Sequence, residues 1–127
     1  MPKEFRVIIA GCRSYECNDE NYADAEKYLD ECFSRRKPTA ILCGEARGAD
    51  QIGKRYAKSH GIEVKSYPAD WKKYGRSAGM LRNKEMLKNA DALVAFWDNI
   101  SPGTKNMIVI SKEKGIPVRI IPLIHDV

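Results

Sequence analysis

The stretch Gly44-Glu45-Ala46-Arg47-Gly48-Ala49-Asp50 sets two glycines around an arginine and closes on a carboxylate. Glycine lets the backbone come close to a ligand, and an arginine fork grips phosphate oxygens, so the chemistry suggested is anion binding. A plain strand-to-helix connector would need only two or three residues and a cap. Two further stretches have the same character, Gly11-Cys12-Arg13-Ser14-Tyr15 and Asp98-Asn99-Ile100-Ser101-Pro102-Gly103-Thr104. In the latter, Ser101 fits a helix N-cap and Pro102 the first helical position, which leaves Gly103 and Thr104 to present free first-turn N–H groups. Asp98 is suited to bonding ribose hydroxyls, to acting as a base, or to satisfying local backbone N–H groups; ribose contact is the preferred reading. Asp50 reads more readily as a charge at a helix start than as a ligand contact, and stays among the candidates.

The segment from Pro68 to Asn83 is expected to be the longest irregular stretch. It mixes Trp71 and Tyr74 with Lys72, Lys73, Arg76 and Arg82, and has Gly75 and Gly79 for tight bends. That composition suits a lid in which a ring stacks on a base and arginines hold phosphate. The alternative is that Trp71 and Tyr74 anchor a surface loop to the core. Trp97 reads as a core residue at a strand end.

Missing motifs exclude several classes. The sequence has no Walker-type Gly-x-x-x-x-Gly-Lys-[Ser/Thr], no Gly-x-Gly-x-x-Gly after the first strand and no Gly-x-Ser-x-Gly elbow. Cysteines 12, 17, 32 and 43 form no Cys-x-x-Cys pair and lie far from His60 and His125, so neither a metal site nor a resident cofactor is expected. The thiols read as reduced and mostly buried, although Cys12 and Cys43 end strands and could line a pocket.

The elements that must position these residues follow from periodicity. Nearly continuous apolar runs at 5–10, 39–43, 63–67, 92–97 and 118–124 predict strands covered on both faces. Helical spacing predicts helices over 21–35, with Asp19 or Asn21 as cap, and over 49–60, 79–90 and 102–115. Glycines just past helix ends, at 61 and 115, mark C-caps. This alternation predicts an α/β, Rossmann-like three-layer sandwich whose five-stranded parallel sheet has the order 3-2-1-4-5. Ligands of such sheets bind where the order reverses, here between the first and fourth strands, so all three glycine-bearing loops are expected to converge there.

At 127 residues one domain spanning 1–127 is expected. The sequence shows neither a membrane-length apolar run nor a signal-like leader, so a cytoplasmic protein with no membrane partner is expected. Charge is uneven: the first 34 residues carry 4 basic and 8 acidic side chains, the remainder 18 and 9. The basic excess is either a footprint for phosphate-bearing partners, nucleic acid included, or a solvated surface.

Taken together, Gly-x-Arg-x-Tyr (11–15), the 44–50 loop, the block from Pro68 to Met86, Ala90 to Asp98, and Ser-Pro-Gly-Thr-Lys-Asn-Met-Ile (101–108) resemble the YspA-like branch of the SLOG superfamily. The superfamily also holds the LOG-type phosphoribohydrolases, which cleave nucleoside monophosphates at the base–ribose bond, and the DprA proteins, which bind single-stranded DNA. The resemblance implies a Rossmann-like fold and a pocket for a nucleotide or a derivative such as ADP-ribose. The LOG motif Pro-Gly-Gly-x-Gly-Thr-x-x-Glu is shortened here to Pro102-Gly103-Thr104, with Met107 at the glutamate position. Their Arg-Lys-x-x-Met motif is partly matched by Arg82-Asn83-Lys84-Glu85-Met86, which brings Arg82 and Asn83 toward the ligand. LOG relatives are commonly dimers, so a homo-oligomer is open.

The expected site therefore comprises Gly11, Arg13, Gly44, Arg47, Gly48, Asp50, Trp71, Arg76, Arg82, Asn83, Asp98, Ser101, Gly103 and Thr104. Its expected role is sensing or processing a nucleotide-derived small molecule. The alternatives are a LOG-like hydrolase using Asp98 and, less favoured, DprA-like binding of single-stranded nucleic acid.

Overall fold

A computed structural model describes residues 4–46 and 48–123. Arg47 and the last residue expected in the fifth strand, Ile124, lie outside the described residues. The elements run β1 (Arg6–Gly11), α1 (Asp19–Cys32), β2 (Ala40–Cys43), α2 (Ala49–Ser59), β3 (Glu63–Ser66), α3 (Trp71–Tyr74), a 3-10 turn (Gly75–Ser77), α4 (Ala78–Lys88), β4 (Ala92–Trp97), α5 (Pro102–Lys114) and β5 (Val118–Pro122). The strands form one parallel sheet of order β3-β2-β1-β4-β5, as the alternation of elements predicts.

The three inner strands β1, β2 and β4 are buried on both faces, which gives two cores, whereas the edge strands β3 and β5 are largely exposed or half-buried, against the expectation that all five are covered, because each has a neighbour on one side only. On one side Val7, Ile9, Ile41, Val94 and Phe96 pack against Tyr22, Ala25 and Leu29 of α1 and Ile52 and Tyr56 of α2. On the other side Ile8, Leu42, Leu93 and Ala95 meet Met86 of α4 and Met107 and Ile108 of α5. Burial of these side chains, at about 25 cal/mol per Å² of apolar surface, is what holds the layers to the sheet.

Two expectations about local structure change. The cap of α1 is Asn18, whose Oδ1 accepts from Asn21 N at 2.8 Å, so the helix starts earlier than the apolar periodicity suggested. The stretch from Pro68 to Asn83 is mostly ordered rather than irregular. Asp70 caps α3 by accepting from Lys73 N at 3.1 Å, and α3 runs through the 3-10 turn into α4. Gly75, at φ +54, makes the bend between them. The turn signal was legible, but the short helix was masked by its lack of apolar periodicity.

Candidate ligand site

At the switch point between β1 and β4 the sheet edge opens into a cavity of about 670 Å³. Gly11, Cys12, Arg13 and Ser14 line it from the end of β1, Ala46 and Asp50 from the β2–α2 connection, and Trp71 and Arg76 from the α3 region. Gly79, Met80, Arg82, Asn83 and Met86 contribute from α4, and residues 101 to 104 with Asn106 and Met107 from the start of α5. A second groove of about 780 Å³ lies between α1 and the end of β5, lined by residues such as Asp24, Lys27, Tyr28 and Leu123. It is the larger, but it sets Asp24 and Glu31 beside Lys27, and the α1 start at its edge is capped by Asn18 and carries Asp19 and Glu20, whereas the switch-point cavity gathers the groups able to bind an anion.

The start of α5 is arranged to stay open. Ser101 is the N-cap residue, but its hydroxyl donates to Asp98 Oδ2 at 2.9 Å instead of accepting from the helix. Pro102 occupies the first turn, and space beside Gly103 is empty for 4 Å. The N–H groups of Gly103 and Thr104 therefore face the cavity end of the helix without a side-chain cap, at the positive end of its dipole. Asp98 makes this possible from outside the cavity wall. Its Oδ1 accepts from Ile100 N at 2.9 Å and Ser101 N at 2.8 Å, and these backbone bonds hold its carboxyl below the usual range. Both its oxygens are thus engaged in closing the loop, which is the third of the roles weighed for it, ahead of ribose contact or catalysis.

Asp50 is the carboxylate on the cavity wall, only 6% exposed. Its Oδ2 accepts from Ala46 N at 3.2 Å, and burial pushes its pKa up to about 6 against the opposing pull of Arg82. Arg82 reaches across the sheet edge from the other layer, its Nη1 donating to the Gly44 carbonyl and its Nε to Asn83 Oδ1 at 3.0 Å. Burial lowers the Arg82 pKa, with Asp50 opposing. Asn83, itself buried, sends its Nδ2 to Asn106 Oδ1 at 3.1 Å and to the Gly103 carbonyl at 3.4 Å. A single amide thus fixes Arg82 and ties α4 to the first turn of α5.

At the mouth, Trp71 is 50% exposed with the Arg13 guanidinium 5.8 Å from its ring centroid, and exposed Arg76 follows in the 3-10 turn. Trp71 lines the cavity rather than anchoring the loop in a core. Gly11, Arg13, Asp50, Trp71, Arg76, Arg82, Asn83, Ser101, Gly103 and Thr104 are therefore brought together.

Gly44 and Gly48 are not on the wall. A side chain at 44 would strike Arg82, and one at 48, where φ is +81, would strike the Cys12 carbonyl and the Arg13 backbone. Their part is close packing, which lets the β1 and β2 loops and Arg82 nest. Cys12 lines the cavity as a buried thiol, while Cys43 lies beneath the edge with its pKa raised by burial.

Sequence reasoning passed over Met80, Asn106 and the cavity role of Met107. The signal was helical spacing: Gly79, Asn83 and Met86 share one face of α4, and Gly103, Asn106 and Met107 one face of α5.

Comparison with known proteins agrees with the architecture. The profile of the family described as "YspA, cpYpsA-related SLOG family" matches residues 5–74. The Gene 61 protein of Mycobacterium phage D29 is 34% identical over 119 residues, which cover 89% of this chain and 93% of the phage protein. The X-ray structure of DNA processing protein A (DprA) from Streptococcus pneumoniae superposes with a TM-score of 0.68 at 15% identity. That match covers 94% of this chain, which spans about half, 51%, of the DprA chain. The DprA match bears on the fold alone, whereas the profile match and the phage relative bear on descent: this chain belongs to the YspA, cpYpsA-related SLOG family.

Proposed function

We propose that the protein binds a nucleotide or nucleotide-derived small molecule at the switch-point cavity. The observation that carries this reading is the pairing of an uncapped α5 start with a half-exposed Trp71 across one cavity of nucleotide dimensions. Phosphate oxygens sit at the Gly103 and Thr104 N–H groups within reach of Arg13 or Arg76, and the base lies against Trp71 and the methionines. The reading is one of binding. Met107 is buried where LOG enzymes place a glutamate, and Asp98 is committed to its own loop.

A thermal-shift screen against AMP, ADP, ATP, NAD, ADP-ribose and cyclic nucleotides tests this, because a ligand of the native state raises the melting temperature by mass action. A selective shift is expected, reduced in Trp71→Ala by about 1–3 kcal/mol of binding energy, the usual worth of a stacked base. Absence of any shift at millimolar nucleotide sinks the reading. No product is expected on incubation with AMP, NAD or ADP-ribose; turnover, read by chromatography, would make the site hydrolytic.

A second reading rests on the exposed run Trp71-Lys72-Lys73-Tyr74 with Arg76, a basic and aromatic surface of the kind that tracks single-stranded nucleic acid. It predicts oligonucleotide affinity that falls steeply with salt. Flat or absent binding at low salt removes it.

A further inference from the structure

Asp50 and Arg82, packed together on the cavity wall, each keep one hydrogen-bonding atom that no described residue engages. Asp50 is buried and lines the cavity, and its Oδ2 is taken by Ala46 N, whereas its Oδ1 has no partner among the described residues. Beside it, Arg82 spends Nη1 on Gly44 and Nε on Asn83, and its Nη2 has no hydrogen-bond partner among the described residues. Among the described residues the site thus holds one unengaged acceptor and one unengaged donor, on two side chains that both approach Gly44.

What can occupy this pair is restricted by charge. A phosphate is repelled by the Asp50 carboxylate and has better partners at the α5 start. An apolar ring leaves both atoms unpaired at the cost of their desolvation. Two adjacent hydroxyls match the pair, one donating to Asp50 Oδ1 and its neighbour accepting from Arg82 Nη2. The location agrees, because the pair lies on the wall of a cavity whose anion-binding groups and aromatic face have already been assigned.

Resting on the nucleotide reading above, we propose that Asp50 and Arg82 are the specificity-determining residues of the cavity, selecting ligands that carry a free vicinal diol, so that ribose-containing molecules bind and their deoxy counterparts are rejected. Asp98, which the loop sequence suggested for ribose contact, takes no part in this selection.

The test compares, on the full chain, AMP with 2′-deoxy-AMP and 3′-deoxy-AMP, and ribose 5-phosphate with 2-deoxyribose 5-phosphate, by calorimetry. The expected result is that loss of either hydroxyl weakens AMP binding about ten- to a hundredfold, as a hydrogen bond to a charged group implies. In Asp50→Asn, which keeps an acceptor for Ala46 N but can place an amide donor on the free side, the preference should fall to within about threefold. Arg82→Lys provides a second variant that removes the fork from the other partner, and a thermal melt of each variant establishes that it is folded. Equal binding of AMP and both deoxy forms overturns the proposal and leaves the nucleotide reading intact. If no nucleotide binds but ribose 5-phosphate is preferred over its deoxy form, the diol selection stands and the nucleotide reading fails. If neither series shows a preference, the proposal is overturned.

Discussion

Burial of Asp50 ties the stability of this protein to pH through one carboxyl. Its pKa is raised from the ordinary 3.8 to about 6, so the native state takes up a proton before the unfolded chain does. Ionised Asp50 therefore costs stability above pH 6, and the cost is relieved as pH falls from about 6 toward 4. Asp50→Asn is expected to be more stable than wild type near pH 8, by about 1–3 kcal/mol, with the gap closing toward pH 4; melts across that range check it. Asp98 behaves oppositely, since its carboxylate is stabilised by three hydrogen bonds in the native loop. Asp98→Ala should lower stability by about 1 kcal/mol at pH 7, as loss of a capping side chain does, while leaving nucleotide preference unchanged. Residue type and spacing alone do not separate the two carboxylates. Both lie between a strand and the body of the following helix, Asp98 in the loop before α5 and Asp50 in the first turn of α2, and what separates them is whether the local backbone engages both their oxygens, a matter of loop geometry that residue type does not encode.

Among the elements, the loops between strands and helices set the shape of the site, and glycine sets the loops. Gly48 holds φ +81, and a Cβ there would run into the Cys12 carbonyl and the Arg13 backbone. Gly48→Ala is expected to destabilise by about 2 kcal/mol or more, from the positive φ and the clash together, with a drop in melting temperature as the readout. Gly103→Ala, where nothing lies within 4 Å, should cost far less. The convergence of the β1 loop and the α5 start was legible because strand alternation dictates the switch point. Arg82 was legible as a cation of the Pro68–Asn83 segment, but its bond to Gly44 was not, since that depends on crossing from one layer to the other and no short-range spacing reports the crossing. The α3 helix was missed because four exposed residues carry no periodic signal.

For the whole molecule, the strand order puts β1 at the centre, paired on one side with β2 and on the other with β4. No helix among the described residues is long and apolar enough to cross a membrane. The pairing Val7↔Ala92 means that the central strand bonds to a segment 85 residues further along the chain. A fragment ending at residue 90 lacks β4 and with it the bridge to β5, so it is expected to show little ordered helix by circular dichroism, whereas the full chain folds cooperatively. Residues Ile8 to Ala10 are then a hydrophobic segment made early and completed late. At a synthesis rate of about 5–20 residues per second, β1 waits on the order of ten seconds for its second neighbour. During that interval the nascent chain offers one unpaired, β-branched edge to whatever is nearby, so the yield of this protein in a cell depends on what shields β1 until β4 arrives.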